Sequence, residues 1–125
     1  LGAERDSYKT PTGLHRINGK LGDGVPLFGV LRDREYTGMI NDPDSSDPDK
    51  DWITTRILWL DGLEPGVNKG GSVDSRERFI YIHGTANESS VGQPTSMGCV
   101  RMRNVDIVAL FDGVPDGALV VILDN

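Results

Sequence analysis

The sequence predicts one mainly β domain closed by a single short C-terminal helix. Three observations carry this. The 125 residues suit one domain, and such a length buries a core without staples. Gly (16) and Pro (7) are frequent and punctuate short apolar runs. Only one stretch, after Asn104, carries a sustained helical period. No internal repeat or domain boundary interrupts residues 1–125.

Taken in order, Pro11 and Gly13 mark a turn, Leu14 to Asn18 a short strand, and Lys20 to Gly24 another turn. Pro26 to Val30 reads as an edge strand, because proline cannot donate to a ladder. Tyr36 to Ile40 is a further strand. Residues 41–51 are an acidic loop that cannot join a core and that lacks the calcium-loop pattern. Trp52 to Leu60 is the strongest strand, rich in β-branched and aromatic residues. Asp61 to Arg76 is a long glycine-rich loop, and its Lys69-Gly70-Gly71-Ser72 lacks the spacing of a phosphate loop. Phe79 to Ile82 is a central strand ending at His83, and Val100 to Met102 a short one. Asn104 then reads as an N-cap. Val105, Val108 and Ala109 recur at helical spacing, as do Ile107, Leu110 and Phe111. Gly113 and Pro115 stop the helix, and Ala118 to Leu123 closes the domain as a strand.

The net charge of −6 and the absence of a basic stripe argue against nucleic acid as partner. No run approaches the ~18 apolar residues of a membrane span. The opening Leu1-Gly2-Ala3-Glu4-Arg5-Asp6 is no leader, and the chain reads as an excised domain or mature fragment. One cysteine forms no internal disulfide, so cysteine usage does not name the compartment. No metal site or cofactor is expected, since one His and one Cys are too few ligands for zinc.

Chemistry concentrates between Arg78 and Arg103. His83 and the single cysteine, Cys99, stand sixteen positions apart across a loop-forming stretch. A free thiol is mostly protonated at neutral pH, and an imidazole brought beside it activates it. Gly98 leaves room at the sulfur for a carbonyl, and the backbone N–H groups of the Gly98-Cys99 turn suit an oxyanion. The plain alternative is a small buried cysteine and a structural histidine.

Ile82-His83-Gly84-Thr85 followed by Ser96-Met97-Gly98-Cys99-Val100-Arg101-Met102 resembles the signature of the L,D-transpeptidase catalytic domain, the YkuD-like family. Thr10-Pro11-Thr12-Gly13 and the run from Asn104 to the last strand extend the resemblance over most of the chain. It implies a β-sandwich-like domain in which Cys99 is the nucleophile, His83 the base, and Gly84 the carbonyl that orients the ring. It implies acyl transfer on peptidoglycan stem peptides, with D-alanine released and a 3→3 cross-link formed. Hydrolysis or attachment of a protein to the wall are the alternatives on the same site. It further implies an exported protein of the periplasm or cell wall, a monomer, open to acylation by a carbapenem. Arg101, Ser96, Gly98 and Met97 become substrate-binding candidates. For Arg101 the competing reading is a structural ion pair. Trp59 and Tyr81 read as core, and Arg34 as a surface cation paired with nearby acids.

Two features depart from the family. It usually has His where Met97 stands, which reads as a subfamily variant. Its domains carry one or two strands ahead of the TPTG turn, but only residues 1–9 precede it here, so those strands are missing or displaced. A sortase or an NlpC-type peptidase does not fit the order and spacing of His and Cys. A non-catalytic wall-binding module is the rival from another class.

Overall fold

The computed structural model describes residues 10–40, 53–86, 88–91 and 99–123. Among the described residues there are seven strands and one α-helix: β1 (Gly13–Leu21), β2 (Gly29–Arg32), β3 (Glu35–Ile40), β4 (Ile53–Gly62), β5 (Tyr81–Thr85), β6 (Val100–Met102), α1 (Asn104–Gly113) and β7 (Leu119–Ile122). The mainly β class with one short helix is therefore as expected. The expectation about missing first strands concerns residues 1–9, which lie outside the described residues, as does the acidic loop at 41–51.

One seven-stranded sheet branches at β4. Antiparallel β5 runs along one edge of β4. On the other edge, β2 pairs with Thr54 and Ile53, while β1 pairs from Ile57 onward. The changeover falls at a bulge between Thr54 and Ile57. Thr55 there has φ 73, a left-handed conformation that is an outlier for a β-branched residue. Its neighbours hold it. The Thr55 hydroxyl donates to Asn104 Oδ1 and accepts the Phe28 N–H at 3.0 Å. The bulge lets two wings, β3-β2 and β1-β7, share one strand.

Each face of the shared region carries its own core. Ile17, Leu58, Leu60, Ile80 and Ile82 pack against Ile107 and Phe111 of α1, with Val100 and Met102 beside them. On the opposite face Leu31, Ile57 and Tyr81 cluster, with Trp59, Ile53 and Cys99 packed against them. Of the two helical stripes, the one containing Ile107 and Phe111 turns to the sheet, and Val105 is exposed.

Several elements shift from expectation. β1 runs on to Leu21 before turning. β2 starts at Gly29 and is an inner strand between β3 and β4. β5 begins at Tyr81, because Phe79 takes φ 58 and turns the chain before the strand. His83 thus sits in the middle of β5, not at its end. The long loop after β4 is tightly organised. Fully buried Asn68 donates to the carbonyls of Thr12 and Leu14 at 2.9 and 3.1 Å and accepts the Glu64 N–H at 2.9 Å. Gly62 is forced by this packing, since a Cβ there would stand 2.0 Å from the Asn68 carbonyl oxygen. His15 is fully buried and ties β1 to the loop through Ser75 Oγ at 2.9 Å. The Gly70 N–H binds Asp74 Oδ2 at 2.8 Å, so the loop's own carboxylate takes this amide. Burial works to raise the Asp74 pKa, yet N–H donors from Glu77, Gly70 and Arg76 hold it below the usual value.

Candidate active site

The parallel pairing of β5 with β6 sets the site. Ile82 is in register with Val100, His83 with Arg101, and Gly84 with Met102. Successive residues of a strand point to opposite faces. Ile82, Val100 and Met102 pack on the helix side, and Tyr81 and Cys99 on the other. His83 and Arg101 therefore share the face of Tyr81 and Cys99. Cys99 lies one residue before β6 and continues the register opposite Tyr81, whose N–H meets Sγ at 3.3 Å. Neighbouring strands stand ~4.8 Å apart and residues two apart along a strand ~6.6 Å, so the Cys99 to His83 diagonal is roughly 8 Å between Cα atoms. An aromatic ring such as the imidazole is long enough to reach across such a diagonal.

Each member is fixed by its surroundings. His83 is 2% exposed, and its Nδ1 lies 2.7 Å from the Gly84 carbonyl. A carbonyl only accepts, so Nδ1 carries the proton and, in the neutral ring, Nε2 keeps its lone pair. Cys99 is half-buried. Its thiol donates to the Phe79 carbonyl at 3.3 Å and accepts the Tyr81 N–H at the same distance. The N–H supports a charged sulfur, and the carbonyl supports a protonated one. The left-handed turn at Phe79 aims that carbonyl at the thiol.

Behind His83 lies a polar hub whose organising residue the sequence disguised. Asn104 was expected to cap α1. Arg103 holds the N-cap position instead, without a side-chain bond, and Asn104 is the first helical residue with its side chain turned inward. Fully buried, its Oδ1 accepts the hydroxyls of Thr54 at 2.6 Å and of Thr55. Its Nδ2 donates to the Thr85 carbonyl at 2.8 Å and to Glu88 Oε2 at 2.9 Å. Glu88 Oε2 also accepts the Asn104 backbone N–H at 2.7 Å, doing from outside the helix what a cap does from within. Gly84 is required beside this hub. A Cβ there would lie 2.7 Å from the Thr54 carbonyl oxygen and 2.8 Å from Asn104 Oδ1. The sequence signal is the Thr54-Thr55 pair, which with Arg56 interrupts the apolar run of the strand.

Trp59, Tyr81 and Phe79 gather on the face that carries Cys99. Trp59 stands 5.5 Å from Tyr81, edge on, and 5.8 Å from Phe79. Among the described residues Arg34 has no carboxylate hydrogen-bonded to it. Its guanidinium lies over Trp59 and Phe79 and donates to Tyr81 Oη at 3.2 Å. Buried Tyr81 is thus both core and part of the site's wall. Arg101 is half-buried beside His83. Ser96, Met97 and Gly98 lie outside the described residues, as does Trp52. A pocket of about 360 Å³ lined by Arg16, Asn18, Asp61 and Asp116 holds neither His83 nor Cys99. Among the described residues no cluster of His, Cys, Asp and Glu is arranged for a metal ion, and no helix is long and apolar enough to cross a membrane.

The chain is similar in sequence to known proteins. The chain is 48% identical to YqjB of Bacillus subtilis over 48 residues, covering 38% of this chain and 27% of that protein. It is 49% identical to ErfK/SrfK of Escherichia coli over 48 residues, 38% of this chain and 16% of that one. It is 49% identical to YkuD of Bacillus subtilis over 41 residues, 33% of this chain and 25% of that one. All three carry names of L,D-transpeptidases, and the matches span about a quarter or less of their lengths. The family described as YkuD, L,D-transpeptidase catalytic domain, matches residues 1–122. With its His-Gly-Thr strand set parallel to its Cys-Val-Arg strand, the chain belongs to the YkuD family of L,D-transpeptidase catalytic domains.

Proposed function

We propose that the domain performs cysteine-dependent acyl transfer on peptidoglycan stem peptides. The observation that carries this reading is the common face of Cys99 and His83, with the His83 ring locked on the Gly84 carbonyl so that Nε2 is the basic nitrogen. His83 Nε2 takes the thiol proton, and Sγ attacks the carbonyl joining the third stem residue to a terminal D-alanine. Backbone N–H groups at Gly98 and Cys99 receive the oxyanion. The C–N bond breaks, His83 returns the proton to the leaving amine, and D-alanine departs from a Cys99 thioester. The amine of a second stem attacks the thioester, yields its proton to His83 and restores the thiol, leaving a 3→3 cross-link. Water in place of the amine gives a carboxypeptidase, and a protein lysine gives a wall-anchored protein. Ser96, Gly98, Met97 and Arg101 contact the stem. The substrate places the working protein in the periplasm or cell wall, as a monomer, and the same thiol takes a carbapenem as an acylating mimic.

The test is a disaccharide tetrapeptide incubated with the domain and with Cys99→Ala, followed by mass. Release of D-alanine and a cross-linked dimer, both abolished in Cys99→Ala, is expected. An unchanged muropeptide together with a carbapenem that leaves Cys99 unmodified would sink the reading and favour a wall-binding module.

A further inference from the structure

The turn joining β2 to β3 has left-handed φ at both Asp33 (50) and Arg34 (69), the geometry of a tight two-residue hairpin. It brings Arg34 over the face that carries Cys99. The guanidinium carbon lies 5.1 Å from the Trp59 ring centroid and 5.3 Å from that of Phe79. Nη1 donates to Tyr81 Oη. Arg76 covers Trp59 more closely, at 3.3 Å, so this indole is already stacked by a cation. Two aromatic rings and a phenol thus support the Arg34 cation, and none of them neutralises it. Asp33 and Glu35 act on it only through their fields. Among the described residues no carboxylate hydrogen-bonds it. A guanidinium has five N–H donors in a planar fork suited to a carboxylate, and Tyr81 occupies one group.

The position relative to the thiol is set by one residue. The Tyr81 N–H contacts Cys99 Sγ, and the Tyr81 hydroxyl contacts Arg34. A single tyrosine therefore measures the gap between nucleophile and cation. With Arg76 and Arg101, this face gathers arginines in a chain of net charge −6. Guanidinium groups gathered on one face favour an anionic ligand.

We propose that Arg34 is a carboxylate-binding residue of the face that carries Cys99, gripping a free carboxylate of the peptide whose carbonyl Cys99 attacks. This rests on the acyl-transfer reading and adds a specificity determinant to it. Two carboxylates of a stem peptide qualify: the C-terminal one, and the side-chain one of a diacidic third residue. Both present the same chemistry to the fork.

The experiment uses three tetrapeptide donors: one with both carboxylates free, one with a C-terminal amide, and one with the third residue's side-chain carboxylate amidated. Binding to Cys99→Ala is measured by titration, with and without Arg34→Gln and Arg34→Lys. Acylation of the intact thiol is followed separately by mass. Arg34→Gln is expected to weaken the free donor by roughly ten- to a hundredfold, the size of a charge-assisted pair. Arg34→Lys keeps the charge but not the fork and loses less. One amide becomes insensitive to Arg34→Gln, and which one identifies the carboxylate held. If Arg34→Gln affects all three donors alike, or none, the proposal is overturned. Thermal melting of the variants shows whether the turn has kept its fold. Tyr81→Phe provides a second probe that leaves the arginine in place and is expected to weaken only the donors that keep the carboxylate held by Arg34. A carboxylate-dependent loss without any thioester on Cys99 overturns the acyl-transfer reading and leaves the subsite standing. A thioester without carboxylate dependence does the reverse.

Discussion

Replacing Asn104 with Ala removes a buried side chain that serves four partners. Thr54 and Thr55 lose the Oδ1 acceptor, and the Thr85 carbonyl and Glu88 Oε2 lose the Nδ2 donor. Glu88 is half-buried and keeps the Asn104 backbone N–H. The two threonine hydroxyls then lose this acceptor in a dry site at roughly 1–3 kcal/mol each, and the Thr85 carbonyl loses one donor. Hydroxyl rotation recovers part of this for the threonines, so the expected loss is about 3–5 kcal/mol. Thr55 depends on the same acceptor to hold its left-handed φ, so the bulge is expected to relax as well. Asn104→Asp is the sharper companion. It preserves shape and the Oδ1 acceptor but sets a carboxylate against Glu88 Oε2 and the Thr85 carbonyl. Its folded-state pKa rises, so the aspartate variant is more stable at acid pH, and that advantage is lost as pH climbs through the raised value. Urea unfolding of the wild type and both variants at pH 5 and pH 8 decides the matter. A loss under about 1 kcal/mol for Asn104→Ala, or no pH dependence particular to Asn104→Asp, would refute the hub.

Two other outcomes follow from the same packing. Gly84→Ala is expected to lower stability by roughly 1–3 kcal/mol through overpacking against the Thr54 carbonyl and Asn104 Oδ1, and to slow thioester formation by moving the carbonyl that orients His83; melting and acylation mass kinetics read the two effects. Burial pushes the His15 pKa below 6.5, partly offset by the Gly13 carbonyl and by Glu64 and Asp61, so the unfolded chain takes up this proton first as pH falls. The stabilisation is complete above pH 6.5 and is lost as pH drops through the lowered value, at up to about 1.4 kcal/mol per pH unit. Urea midpoints across this range for wild type and His15→Gln check it, and identical slopes would contradict it.

The sequence exposed what depends on local pattern. Val100 to Met102 appears as a strand with the expected bounds, and Tyr36 to Ile40 within one residue of them. The rarity of Cys and the strand-then-loop setting of His83 point to β5 and to the residue before β6, two elements that the structure pairs in parallel. What stayed hidden depends on partners distant in the chain. Thr55 is β-branched and belongs by propensity in an unbroken strand; only Phe28 and Asn104 make the bulge habitable. The loop after β4 looked open because its glycines and prolines are visible, whereas Asn68 and His15 organise it through contacts about fifty residues away and more. The two helical stripes were equally periodic, and the sheet chose between them through Ile107 and Phe111. Arg34 was read by its acidic neighbours in sequence, yet its chemistry is set by aromatics on β4 and β5.

The parallel ladder between β5 and β6 carries an evolutionary consequence. His83 and Cys99 are placed by which rung each occupies, not by the contour of the chain between them. A segment inserted or deleted between the two strands leaves the pair intact as long as the rungs still match. A slip by a single rung turns Cys99 and Arg101 into the apolar layer under α1 and ends their association with His83. The number of residues between the two motifs is therefore free to drift among relatives, whereas the odd-even phase of Cys99 against Tyr81 and His83 is not.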